Sequence, residues 1–177
     1  IQENKDKILT KLEEAEKNYL QAIKLKPDYA EALCVLGQMV QELGRLEEAK
    51  IIIQYAIVAN EYYVEAYNLL GGVLNKLEKF DEAEITFRQA LALNPDCADT
   101  HVNLGGVLST MSKLGEAELL LRKALILNPN HIGALYNLGT TLSSLNNLEE
   151  AEVIFKKALA LKPSFVEALS NLGSVFH

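Results

Sequence analysis

The chain has no excess of positive charge: its 177 residues carry 17 Lys and Arg against 24 Asp and Glu, a formal charge of −7. That deficit argues against a nucleic-acid or an anionic-membrane surface as partner. Long apolar runs are missing too. Stretches such as Leu119–Leu121 and Ile51–Ile53 fall far short of the roughly 18 residues a membrane span needs, and the charged opening from Gln2 to Lys7 does not read as a secretory signal. The sequence contains no phosphate-binding glycine loop, no dinucleotide fingerprint and no nucleophile elbow. Histidine occurs only at His101, His131 and His177, too dispersed for a metal set or a nucleophile–base pair. No catalytic residue, metal or cofactor is therefore expected. Apolar mass, by contrast, is plentiful: hydrophobic residues make up 49% of the chain and charged ones 23%, enough for a core and too much for a disordered segment.

Proline is scarce, and its placement is informative. Pro27, Pro95, Pro129 and Pro163 fall on successive steps of 34 residues, with Glu61 standing where the series skips one. A period of that length signals stacked helical repeats. With Ala30 as position 1, a Leu-Gly pair returns at positions 7 and 8 as Leu36-Gly37, Leu70-Gly71, Leu104-Gly105, Leu138-Gly139 and Leu172-Gly173. Alanine holds position 20 at Ala15, Ala49, Ala83, Ala117 and Ala151, and position 27 at Ala22, Ala56, Ala90, Ala124 and Ala158.

Within each period the apolar residues at positions 4, 7 and 11, such as Leu135, Leu138 and Leu142, lie on one face of a helix, helix A. A second stripe at 17, 20, 24 and 27, such as Leu148, Ala151, Phe155 and Ala158, marks helix B, and breakers such as Gly44-Arg45 and Asn146-Asn147 separate the two. Glycine inside a helix costs about 1 kcal/mol against alanine. Its return at position 8 therefore predicts close approach of helix B. Asp28, Asp96, Asn130 and Ser164 follow the repeat-ending prolines and read as N-caps, with Glu31, Asp99 and Glu167 three residues on in the manner of a capping box. Acids opening helix B, such as Glu47-Glu48, Asp81-Glu82 and Glu149-Glu150, suit the positive end of the helix dipole. At the junction without proline, Asn60 is expected to end its helix through a left-handed cap. Upstream, Ile1, Ile8, Leu12, Ala15, Tyr19 and Ala22 form one stripe, which favours a single long helix over a fresh start at Thr10.

The residues at positions 4, 7, 8, 11, 20, 24, 27 and 32 give the chain a resemblance to the tetratricopeptide-repeat family. The resemblance implies an all-α fold, a right-handed α-solenoid of stacked helix–turn–helix units. It would form a single domain over 1–177: an N-terminal helix or half repeat at 1–29, full repeats at 30–63, 64–97, 98–131 and 132–165, and a half repeat at 166–177. His101, at a position where the family prefers a large apolar residue, departs from the pattern.

Each helical residue turns about 100°, so positions 2, 6, 9 and 13 lie opposite the packed face of helix A. In the family this stripe lines a concave groove that holds extended peptides, and the resemblance implies the same here. The stripe places Asn103, Asn137 and Asn171 together at position 6, an amide ladder able to donate to and accept from an extended backbone. Duplication of one ancestral repeat would also give three copies of one Asn. Combined with Asp99 and Glu167 at position 2, the ladder resembles the peptide-binding superhelix of O-linked N-acetylglucosamine transferases. Thr140, Gly106, Asn68 and Gln38 complete the candidate groove. Tyr136, on its flank, either anchors a ligand side chain or packs on the next helix A. Val35 and Leu69 replace the Asn in the first two repeats, and Lys76 is the only base in the stripe, which disfavours a grip on acidic chaperone tails.

The leading expectation is a non-catalytic module that binds an extended or helical protein segment. The alternatives are a substrate-recruiting segment of a larger glycosyltransferase-like enzyme, and a scaffold joined head to tail through an uncapped end at Leu169, Leu172 and Phe176, giving a homo-oligomer. Cys34 and Cys97, in different repeats and on different faces, are expected to stay unpaired, which points to a reducing, cytoplasmic compartment.

Overall fold

The two stripes of each period become two helices in the computed structural model, which describes residue 21 and residues 29–175. The first helices of the pairs are α1 (Ala30–Glu42), α3 (Val64–Lys76), α5 (Ala98–Thr110), α7 (Ile132–Ser144) and α9 (Val166–Val175). The second helices are α2 (Leu46–Ala59), α4 (Phe80–Leu93), α6 (Leu114–Leu127) and α8 (Leu148–Leu161). No strand occurs among the described residues, and the fold class is an all-α helical-repeat solenoid. By internal contacts the chain forms two units, Ile1–Leu93 and Asn94–His177. In the first, α1 packs on α2 and α3, α2 on α3, and α3 on α4. In the second, each of α5 to α8 packs on the helix that follows it, while α5 meets α7 and α7 meets α9. The long N-terminal helix expected from the Ile1 to Ala22 stripe lies outside the described residues.

The glycine column does what its cost requires. A Cβ on Gly37 would stand 2.5 Å from Ile53, one on Gly71 2.6 Å from Phe87, one on Gly105 2.8 Å from Leu121 and one on Gly139 2.6 Å from Phe155. In all four pairs the residue at position 24 of helix B fills the space left by the missing methyl. Ile53, Phe87, Leu121 and Phe155 are fully buried, and the alanines at positions 20 and 27 beside them are 0% exposed in both units.

The turn inside each pair is also uniform. Gly44, Glu78, Ser112 and Asn146 share a left-handed backbone, with φ of 78°, 58°, 60° and 60°. The next N–H donates back into the finished helix, as Lys79 does to the Leu74 carbonyl at 2.9 Å and Lys113 to that of Leu108 at 2.9 Å. Only the first of these turns has glycine, the residue for which this conformation is free of strain. Glu78→Gly and Ser112→Gly are each expected to stabilise the protein by about 0.5–1 kcal/mol, and Asn146→Gly by less, because Asn tolerates this region. Urea unfolding midpoints test this ordering; a loss of stability at Glu78 or Ser112 would mean that the side chain, not the backbone, holds the turn.

Helix starts depart from the expected caps. The Asp96 N–H donates to Asn94 Oδ1 at 3.3 Å and the Asn130 N–H to Asn128 Oδ1 at 3.2 Å, so these residues belong to the preceding turn. Asn heads that turn and Pro follows it, a pairing favoured at its first two positions. The helices then begin at Ala98, Ile132 and Val166, too late for Asp96, Asn130 or Ser164 to cap them. The expected capping boxes to Asp99 and Glu167 therefore do not form; Asp28 lies outside the described residues. The caps are instead Tyr63, Cys97 and His131, of which only His131 offers a side-chain acceptor. At the junction without proline the same turn persists: Tyr62 N–H donates to Asn60 Oδ1 at 3.0 Å. Asn60 itself is extended, at φ −150° and ψ 99°, and not left-handed as expected.

The acids that open helix B do more than meet the dipole. Glu47 accepts from Lys79 at 2.8 Å, and Arg122 bridges Glu118 at 2.9 Å and Glu150 at 2.7 Å, tying successive pairs together within each unit. The hydrogen bond from Lys79 holds the Glu47 carboxyl below its ordinary range, and Glu150 holds the Arg122 guanidinium above its own.

Candidate functional site

On the second unit, the stripe opposite the packed face of α7 and α9 borders a cavity of about 340 Å³. Thr140 and Ser144 reach it from α7, Asn171 and Ser174 from α9, and Ser143 and Leu148 close the side where α7 turns into α8. Among the described residues no charged side chain lines it. Serine and threonine are tolerated inside these helices because their hydroxyls bond to the carbonyl one turn back. Thr140 donates to the Tyr136 carbonyl at 3.0 Å and Ser144 to that of Thr140 at 3.1 Å.

Tyr136 is half-buried, with its ring centroid 5.0 Å from that of Phe165 and 6.3 Å from that of Phe155. The ring thus packs between the two phenylalanines, the second of the two roles its place in the sequence allows. Its hydroxyl accepts a long bond from Asn171 Nδ2, at 3.4 Å, at the cavity edge. Asn137 is half-buried on the preceding turn of α7. A Cβ on Gly106 would lie 3.3 Å from Asn137 Nδ2, so the bare backbone of α5 leaves this amide its place. Asn103 is exposed on α5.

Asp99 is engaged by a neighbour. Its Oδ1 accepts from His131 Nε2 at 2.8 Å, while His131 Nδ1 accepts from the Ala134 N–H at 3.1 Å. An N–H that donates to Nδ1 places the ring proton on Nε2. His131 therefore caps α7 and at the same time ties it to the first turn of α5. His101, the departure from the repeat pattern, is buried, and its Nδ1–H donates to the Cys97 carbonyl at 2.9 Å, so a polar ring sits in an apolar column with its need met.

Of the candidate residues, Thr140 and Asn171 meet at the cavity, with Tyr136 behind Asn171. Asn137 lies over Gly106, while Asp99 and Asn103 lie outside the cavity lining. Gln38 is exposed on α1 and Asn68 half-buried on α3, both in the first unit, as are the half-buried Val35 and Leu69. Sequence reasoning passed over Ser143, Leu148 and the His131 cap. The first two sit off the groove stripe, at positions 12 and 17, where a helical wheel turns them aside; only the meeting of two pairs brings them to one space. No group of His, Cys, Asp and Glu among the described residues is placed to hold a metal ion, and no described helix is long and apolar enough to cross a membrane. Cys34 and Cys97 are both free, and burial, helped by the charge of Glu65, pushes the Cys34 thiol up to about 12.

Paired helices of 13 and 14 residues, locked by a glycine against a large apolar side chain at a constant interval, define the class of all-α helical-repeat proteins. Residues 9–44 match a family model described as TPR repeat, and residues 62–126 and 96–164 match that of the tetratricopeptide repeat. The second covers more than half of the chain, which belongs to the tetratricopeptide-repeat family. No curated protein sequence matches it significantly. Among solved structures it is similar to YrrB, described as a TPR protein with an unusual peptide-binding site, at 25% identity and a TM-score of 0.74 over 89% of this chain and 81% of that one. It is similar to MamA at 25% identity and a TM-score of 0.78, over 92% of this chain and 95% of that one. A thermophilic TPR protein of Thermus thermophilus, TTC0263, shares the fold at 22% identity and a TM-score of 0.77, over 97% of this chain and 94% of that one. In general terms the chain is a protein-interaction repeat module of a family whose members are, as a rule, non-catalytic scaffolds.

Proposed function

We propose that the module binds an extended or helical protein segment, without reacting with it, along the stripe that carries Asn103, Asn137 and Asn171, with Thr140, Tyr136 and Asp99 beside them. The observation that carries this reading is the cavity at Thr140 and Asn171: a hollow with no charged lining side chain among the described residues, beside a helix, α7, whose opposite face is buried. Asn171 donates to the Tyr136 hydroxyl, and Asn137 has room because Gly106 has no side chain. A pre-positioned amide loses little freedom on accepting or donating to a peptide backbone, which favours affinity. The peptide-binding site named for YrrB, a relative in fold at 25% identity, agrees with this reading.

The test uses linear peptides selected on the full chain from a random displayed library. Replacing Asn103, Asn137 and Asn171 together by alanine is expected to weaken the selected peptides by roughly 10- to 100-fold, the worth of three modest hydrogen bonds. Isothermal titration of wild type and variant gives the ratio. Unchanged affinity would show that the three amides record duplication alone.

A further inference from the structure

We infer that the cavity between α7 and α9 takes the side chain of a lysine or arginine from the bound segment; this rests on the groove reading above and adds the chemistry of the residue selected there. Hydrogen-bond valences point to a cation. Thr140, Ser143, Ser144 and Ser174 all line the cavity, and the hydroxyls of all four donate to the carbonyl one turn back, at 3.0, 2.9, 3.1 and 3.2 Å. With the proton of each so used, what the oxygens present to the hollow is lone pairs. Asn171 spends one N–H on Tyr136 and keeps Oδ1 as an acceptor. Among the lining side chains, five oxygens able to accept stand against one remaining N–H able to donate.

Such a lining selects by what the guest must not bring. A carboxylate has only acceptors and would force the hydroxyls to turn, breaking their bonds to the helix. A primary amide or a hydroxyl brings donors but also an oxygen that faces oxygens. An ammonium or a guanidinium carries donors and no acceptor. The methylene stem of either has an apolar wall to lie on in Leu148, which is 39% exposed. No acid lines the cavity among the described residues, so the attraction is of charge to dipoles, in a chain whose formal charge of −7 favours the approach of a cation. At about 340 Å³ the hollow has room for either side chain with water left in place.

Two arms test this on the full chain. In the first, N-acetyl-arginine methylamide and its lysine, leucine and glutamate counterparts are titrated against the nitrogen-15-labelled protein. Saturable amide shifts at Thr140, Ser144, Asn171 and Ser174 are expected with the two bases, and none there with glutamate or leucine. In the second, peptides selected from the displayed library are expected to carry Lys or Arg at one fixed position about tenfold more often than Asp or Glu. That preference should vanish for the Thr140→Val, Ser144→Ala, Ser174→Ala variant, which keeps the helices and removes three acceptors. Peptides that depend on the three amides yet show no basic position would overturn this inference and leave the groove reading intact. A library that yields no binder would sink the groove reading, while the small-molecule arm still decides on the cavity. Equal shifts from leucine or glutamate, or none from either base, would overturn the inference outright.

Discussion

Phe155→Ala is expected to lower the free energy of unfolding by about 3–5 kcal/mol, the range for truncating a fully buried phenylalanine. The ring is 0% exposed, lies against the backbone of Gly139 and supports the ring of Tyr136. The same contact makes a second substitution conditional. In the wild type, Gly139→Ala would place a methyl 2.6 Å from Phe155 Cε1. Overpacking of that kind costs about 1–3 kcal/mol, partly offset by about 1 kcal/mol of helix propensity. Once Phe155 is alanine the space is open, so Gly139→Ala should turn stabilising, by about 1 kcal/mol. Gly173 provides the control: a Cβ there would meet nothing within 4 Å among the described residues, and Gly173→Ala should stabilise even with Phe155 in place. Urea unfolding of the four members of the Gly139/Phe155 cycle measures the coupling. Additive costs would mean that the glycine column serves something other than the approach of helix B.

What the sequence made legible was whatever recurs for a packing reason. Leu138-Gly139 and Phe155 stand 16 to 17 residues apart in one chain, yet each has an obligatory partner, and such pairs leave matching columns in every period. The helix starts were less legible because two devices compete for the same few residues. Asp96 and Asn130 have side chains suited to an N-cap, but Asn94 and Asn128, two residues earlier, capture their N–H groups in a turn and move the helix start downstream. A cap rule applied residue by residue does not see that competition. The site divides in the same way. Thr140 and Asn171 were visible because both lie on the stripe that packing leaves over. Ser143 and Leu148 were not, since the hollow they border exists only after α7, α8 and α9 have met. The commitment of the hydroxyls to the helix carbonyls, by contrast, has a signal in sequence: serine and threonine within a helix bond one turn back as a rule.

His131 gives the second large effect, because one ring serves two helices. His131→Ala removes the acceptor of the Ala134 N–H at the start of α7 together with the donor to Asp99, and should cost about 1–2 kcal/mol, most of it from the lost cap. Asp99 is 81% exposed at its side chain, so Asp99→Ala should cost only about 0.2–1 kcal/mol, as exposed polar pairs do. His131→Asn separates the two roles. Asparagine is a preferred cap and can accept from the same backbone N–H, but it is too short to keep the contact with α5. It should recover most of what alanine loses. The expected order of stability is wild type, then Asp99→Ala close to His131→Asn, then His131→Ala, read from urea midpoints at one pH. Gly133 belongs to the same arrangement, since a Cβ there would lie 3.2 Å from His131 Cε1 and push the ring off its acceptor geometry. If Asp99→Ala proves as costly as His131→Ala, the tie between α5 and α7 outweighs the cap, and the first-turn acid would then be structural and not a contact offered to a bound segment.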